Sequence, residues 1–110
     1  EMAKGSNVQI EIETGEVPLF NRAVEFADMG LLPEGGHSNK DNYEEMVISK
    51  ENIEESIEDL LYDPQTSGGL LISVPNENAA DFLIDLYSLG LDKAAVIGEV
   101  KEGKSGILLR

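Results

Sequence analysis

Between Asp63 and Val100 the chain changes its apolar spacing three times, and no other feature narrows the fold as much. Leu70-Leu71-Ile72-Ser73-Val74 is almost continuously apolar and predicts a strand covered on both faces, or nearly so. Pro75-Asn76 stops it, with Asn76 placed to cap a helix. Ala79, Phe82, Leu83 and Leu86 then recur at helical spacing, and Gly90 ends the pattern. Ala94 to Val100 is apolar again and reads as another strand. A strand, a helix and a strand in that order predict a right-handed crossover over 70–100. The fold must therefore mix helices with a sheet.

The flanking segments extend this pattern. Val8-Gln9-Ile10-Glu11-Ile12-Glu13 alternates with period two, as expected of a strand with one buried and one wet face. Pro18 suits the first turn of a helix, and Phe20, Ala23, Val24 and Ala27 carry its stripe toward Gly30, which predicts a helix over 18–29. Residues 31–43 are rich in turn formers and read as a long polar connector. Ile53, Ile57, Leu60 and Leu61 predict a helix over 50–61 with Ser49 as its N-cap. After Lys101 to Gly106, a turn, Ile107-Leu108-Leu109 reads as a fourth strand. The expected order is strand, helix, connector, helix, strand, helix, strand, strand, in one domain of 110 residues.

Charge and composition narrow the partners. The net charge is −14, from 22 acidic and 8 basic side chains, and it disfavours nucleic acid and anionic membrane. Nine of the acids fall between Asp41 and Asp63 against one base, Lys50, and are read as the solvated face of a helix. No stretch approaches the ~20 apolar residues of a membrane span, so a soluble cytoplasmic protein is the default expectation. With no cysteine there is neither a disulfide frame nor a thiol nucleophile. Glu1-Met2-Ala3-Lys4-Gly5 reads as the end of a helix whose earlier turns are missing, which suggests a fragment of a longer protein.

Asp63-Pro64-Gln65-Thr66-Ser67-Gly68-Gly69 is the stretch richest in candidate chemistry. It offers consecutive backbone N–H groups, two hydroxyls and two glycines, the materials of an anion-binding concavity or of a structural turn. It is not a P-loop of the Walker type, because a strand rather than a helix follows and no lysine is present. His37 is the only histidine and has no placeable nucleophile or orienting carboxylate, so no catalytic residue is assigned. The acids are spaced along helices, and no metal site is assembled from them.

The run from Asp63 to Pro75 resembles the hallmark of the C-terminal domain of selenophosphate synthetase (selenide, water dikinase). Ala95-Val96-Ile97-Gly98-Glu99-Val100 resembles that family's next strand, which relatives such as the hydrogenase-maturation carbamoyl dehydratase share. Pro33-Glu34-Gly35-Gly36-His37-Ser38-Asn39 resembles its Pro-Gly-Gly-Thr-x-Arg-Asn loop. Gly36 and Ser38 stand where the family usually has Thr and Arg, so no phosphate contact from that Arg is carried over. Asn39 is retained, and His37 falls at a variable position.

The resemblance implies an α+β sandwich, a mixed four-stranded sheet with helices packed on it, like the C-terminal domain of aminoimidazole ribonucleotide synthetase. It implies a parent enzyme that makes selenophosphate from selenide and ATP with Mg²⁺, releasing AMP and phosphate, and that forms a homodimer. The reactive cysteine or selenocysteine, the lysine and most Mg²⁺-binding aspartates belong to an N-terminal half that would precede Glu1. Residues 1–110 would then be a single C-terminal domain, inactive alone, binding no cofactor by itself and partnered by that half. Thr66, Ser67, Gly68, Gly69 and Asn39 are the residues expected to face the nucleotide cleft. The alternatives are the hydrogenase-maturation relative and a non-catalytic ligand-binding module.

Overall fold

The computed structural model describes residues 1–110. Its elements are α1 (Met2–Ser6), β1 (Gln9–Ile12), α2 (Ala23–Asp28), α3 (Glu34–Tyr43), β2 (Val47–Ser49), α4 (Glu55–Leu61), α5 (Asn76–Ser88), β3 (Gly98–Lys101) and β4 (Gly106–Leu109), with short 3-10 turns over Thr14–Glu16 and Glu44–Met46. The four strands lie in the order β2-β4-β1-β3. β1 is antiparallel to β3 and parallel to β4, and β2 is parallel to β4. This is a mixed four-stranded sheet with helices, an α+β fold.

The period-two alternation of β1 sets the two faces of the sheet. Ile10 pairs with Val100 and Ile107, Ile12 with Gly98 and Leu109, and Val47 with Ile107. Paired residues share a face, so these side chains form one apolar surface. Leu109 is its most enclosed member at 2 % exposure. α1 packs beside β4, where Ser105 Oγ donates to the Ala3 carbonyl at 3.1 Å and Ala3 is buried.

The opposite face was expected to be wet, but Glu11 on it is only 8 % exposed. Lys101 Nζ donates to Glu11 Oε2 at 2.7 Å, and Arg110 Nη1 lies 3.2 Å from the same oxygen. Arg110 Nε reaches Glu13 Oε1 at 2.6 Å. Two cations, one at the end of β3 and one just after β4, thus cover a carboxylate on a central strand. The hydrogen bond from Lys101 holds the Glu11 carboxyl below the usual carboxylate range, against the opposing effect of burial.

Several elements differ from the sequence expectation. The second helix begins at Ala23 rather than near Pro18, because Arg22 takes a left-handed φ of 68° and Phe20 points to solvent at 88 % exposure. The helix expected over 50–61 starts only at Glu55, with Glu54 as N-cap, because Ser49 is the last residue of β2. The strand expected over 94–100 is formed at 98–101. α5 follows the expectation closely: its half-buried positions include Ala79, Phe82, Leu83 and Leu86, although Pro75 rather than Asn76 is the N-cap.

The largest correction concerns the sheet's membership. Residues 70–74 form no strand; their backbone groups make no backbone hydrogen bond and Leu70 is 89 % exposed. The crossover predicted over 70–100 is therefore absent, and Val47–Ser49 supplies the fourth strand instead. An apolar run records a capacity for burial and pleating, whereas a strand also needs a partner, which composition does not name. β2 is three residues long, too short for its periodicity to register.

The Glu11 pairing predicts a pH dependence. A depressed carboxyl pKa contributes stability that is present above the unfolded value and lost as pH falls through the folded one. Thermal melts from pH 7 down past the unperturbed 4.5 should show Glu11→Gln less stable at neutral pH and with a shallower acid decline than the parent. Parallel acid limbs for the two proteins would contradict this.

Candidate functional site

The segment 31–43, expected as a connector, holds the ten-residue helix α3. Two adjacent glycines cost a helix about 1 kcal/mol each relative to alanine, and this composition reads as loop for that reason. Packing offsets the cost. Gly35 and Asn39, like Gly36 and Lys40, stand one turn apart and share the side of α3 that meets α4. A Cβ on Gly35 would lie 2.9 Å from Pro64 Cγ, and one on Gly36 would lie 3.8 Å from the Tyr62 carbonyl oxygen. Gly35 thus lets the backbone of α3 approach the start of the glycine loop, while a Cβ on Gly36 would be only in ordinary contact with the end of α4.

Polar contacts complete this junction. Asn39 Nδ2 donates to the Tyr62 carbonyl at 2.9 Å. Tyr62 is the C-cap of α4, where carbonyls lack partners inside the helix, so Asn39 satisfies a group the helix leaves open. Lys40 Nζ donates to Asp59 Oδ1 at 2.7 Å, lies 3.9 Å from Glu58 Oε1 and sits 6.0 Å from the centre of the Tyr62 ring. The hydrogen bond that Lys40 donates to Asp59 holds its ammonium above the usual lysine range, and burial pushes the Tyr62 hydroxyl up.

From this junction the chain enters the loop Asp63 to Gly69. Thr66, Ser67, Gly68 and Gly69 are exposed, with no element packed over them. The N–H groups from Gln65 to Gly69 donate to no backbone or side-chain acceptor in the chain, so they are open to an outside one. Neither glycine is required by its own conformation, since neither has a positive φ. Nor does packing require them. A Cβ at Gly69 would meet nothing within 4 Å, and one at Gly68 would press on the movable amide end of Gln65 and make ordinary contact with its Cβ.

The structure thus brings Asn39 to the entrance of the loop that carries the other four candidates, through Tyr62. Sequence reasoning missed Gly35, Lys40, Tyr62 and Pro64 as parts of this junction. The available signal was the pairing of small and polar residues one helical turn apart in 35–40. His37 is exposed and borders a pit of about 10 Å³ with Leu32, Pro33, Gly36 and Asp59, room for about one water. No group of three or more His, Asp or Glu side chains converges in metal-ligating geometry. The acidic groove of about 420 Å³ between α2 and α4 is lined by Ala27, Asp28, Glu54, Glu55, Ser56 and Asp59, spread along its walls.

Comparison with known proteins places the chain in a family. The family model described as AIR synthase related protein, C-terminal domain, matches residues 1–109. The chain belongs to this AIR synthase related family. Within it, the chain is 45% identical over 111 residues to selenide, water dikinase 2 of Peptoclostridium acidaminophilum, covering 99% of this chain and 32% of the relative. It is 47% identical over 100 residues to selenide, water dikinase of Clostridioides difficile, covering 91% of this chain and 29% of the relative. The protein of that name from Treponema denticola is 41% identical over 113 residues, 98% of this chain and 31% of its own length. The chain spans about a third of the length of these curated relatives. No helix is long and apolar enough to cross a membrane.

Two glycines of this AIR synthase related domain should respond oppositely to alanine. Gly69→Ala should change the stability of the folded domain by no more than about 0.5 kcal/mol. Gly106 has a φ of 153° and would bring a Cβ to 2.6 Å from the Met46 carbonyl oxygen. Gly106→Ala should therefore cost about 1–3 kcal/mol. Denaturant titration of both variants checks the contrast, and equal losses would contradict it.

Proposed function

We propose that residues 1–110 are the C-terminal domain of an ATP-dependent selenophosphate synthetase, which converts selenide and ATP to selenophosphate, AMP and phosphate. The observation that carries this reading is the match, along nearly the whole chain, to relatives named selenide, water dikinase. All the relatives compared above carry that name, and none points to the hydrogenase-maturation alternative. The remaining two-thirds of such a protein would hold the catalytic cysteine or selenocysteine, the lysine and the Mg²⁺-binding aspartates, and the whole would act as a cytoplasmic homodimer.

In this reading the loop Thr66-Ser67-Gly68-Gly69 borders the nucleotide. Its hydroxyls and unpaired N–H groups suit phosphate oxygens, and two glycines that nothing in the chain demands suit close approach of a ligand to backbone. The chain does not suit Mg²⁺, because its carboxylates do not converge. No basic residue lies between Asp63 and Asp92, so the phosphate charge would be met from outside this domain. The domain's role is to position phosphate, with no proton transfer or nucleophilic attack assigned to its residues.

Two outcomes test the reading. In the full-length protein, the double substitution Gly68→Val, Gly69→Val should reduce selenide-dependent ATP cleavage at least about a hundredfold, as expected when transition-state contacts are lost. Turnover near that of the parent would exclude the cleft role. The isolated 110-residue chain should release no AMP from ATP with or without selenide, and selenide-dependent release would overturn the division of labour.

A further inference from the structure

We infer that Asn39 is a positioning residue, which acts on the glycine loop through the Tyr62 carbonyl as one half of a two-point clamp whose other half is Gly35 against Pro64. Three observations converge on it. Asn39 Nδ2 donates to the Tyr62 carbonyl at 2.9 Å, across 23 residues of sequence. Gly35, one helical turn earlier on the same side of α3, has no room for a Cβ because Pro64 Cγ would lie at 2.9 Å. Lys40 ties the same side of α3 to Asp59 within α4 at 2.7 Å. The two clamp points therefore grip consecutive parts of the chain, Tyr62 and Pro64, where α4 hands over to the loop.

Beyond Pro64 nothing else in the chain fixes the loop. Gln65 to Gly69 make no backbone hydrogen bond, and residues 70–74 join no strand. The direction in which the loop leaves α4 is therefore set at Tyr62 and Pro64. Proline strengthens this, because its fixed φ and the restriction it places on Asp63 leave few torsions free between the clamp and Thr66. Losing the Asn39 donor leaves a half-buried carbonyl unpaired and frees the exit of α4. One Nδ2 N–H of Asn39 is committed to this bond, and on this inference its effect on a bound phosphate is exerted through the loop.

The consequence for turnover rests on the function proposed above, whereas the clamp itself is tested without any ligand. The substitutions are Asn39→Asp, which keeps size and removes the donor, and Gly35→Val, which disturbs the Pro64 contact. In the ligand-free full-length protein, hydrogen exchange is followed at the Tyr62 and Asp63 amides, which donate to the Asp59 and Leu60 carbonyls. Asn39→Asp should speed exchange there by about tenfold, the effect of roughly one net hydrogen bond, and leave β1 and β4 unchanged. Unchanged exchange at Tyr62 and Asp63 would overturn the clamp, and so would acceleration spread equally over the strands.

In steady-state kinetics with ATP and selenide, each single variant should lower kcat by about tenfold, and the double variant should be no worse than the poorer single, as for two residues acting through one element. A fall in turnover for Asn39→Asp with no change in ligand-free exchange would assign Asn39 to direct ligand contact and overturn the inference. If the parent protein shows no selenide-dependent turnover, the proposed function fails, while the exchange result still decides the clamp.

Discussion

The parallel register between β1 and β4 is the constraint on which the remainder of the structure depends. Gln9–Ile12 lies alongside Gly106–Leu109, so one pairing joins residues from the two ends of the sequence. The ladder continues at both margins, with Gly106 N donating to the Val8 carbonyl, Arg110 N to Ile12 and Thr14 N to Arg110. Closing so long a loop costs entropy, but that cost grows only with the logarithm of loop length. It is met by pairing isoleucines with isoleucine and leucine on one face and by the Glu11 ion pairs on the other. β2 and β3 then add to the outer edges of this central pair.

The helical layer follows from what hangs between those strands. α4 is the hub, packed by α2 on one side and α3 on the other. Its acids do two jobs. Asp59 accepts from Lys40, and Asp59, Glu54 and Glu55 line the open groove against α2. The concentration of negative charge over 41–63 is thus partly a solvated face and partly the counter-charge of the single lysine in α3. Because α3 is held by glycine packing, one asparagine and one lysine, its identity as a helix depends on the partner it packs against.

How much of this could be read from residues follows the same physics. Elements with a long, self-sufficient pattern were legible: the alternation of 8–13, the stripe of α5 and the last strand all appear where periodicity places them. Elements defined by a neighbour were not. α3 contains two glycines that a local reading assigns to a loop, and only contact with Tyr62 and Pro64 explains them. β2 is three residues that matter because Ile107 and Leu109 lie beside them, and 70–74 shows the converse, a good strand composition with no strand beside it. For the site, Thr66 to Gly69 were visible as composition. The route by which Asn39 reaches them was invisible, because it runs through a backbone carbonyl that no side-chain pattern marks.

The functional reading places a loop with open donors and unneeded glycines at the edge of a domain whose relatives are about three times its length. Its central claim is that another component approaches that loop's backbone, and that this component is the phosphate of ATP. The most direct measurement is a crystal structure of the full-length protein with a non-hydrolysable ATP analogue. The account predicts a phosphate oxygen within hydrogen-bonding distance of a backbone N–H or hydroxyl in Thr66–Gly69. An analogue bound with its phosphates remote from this loop, and the loop left to solvent, would contradict it.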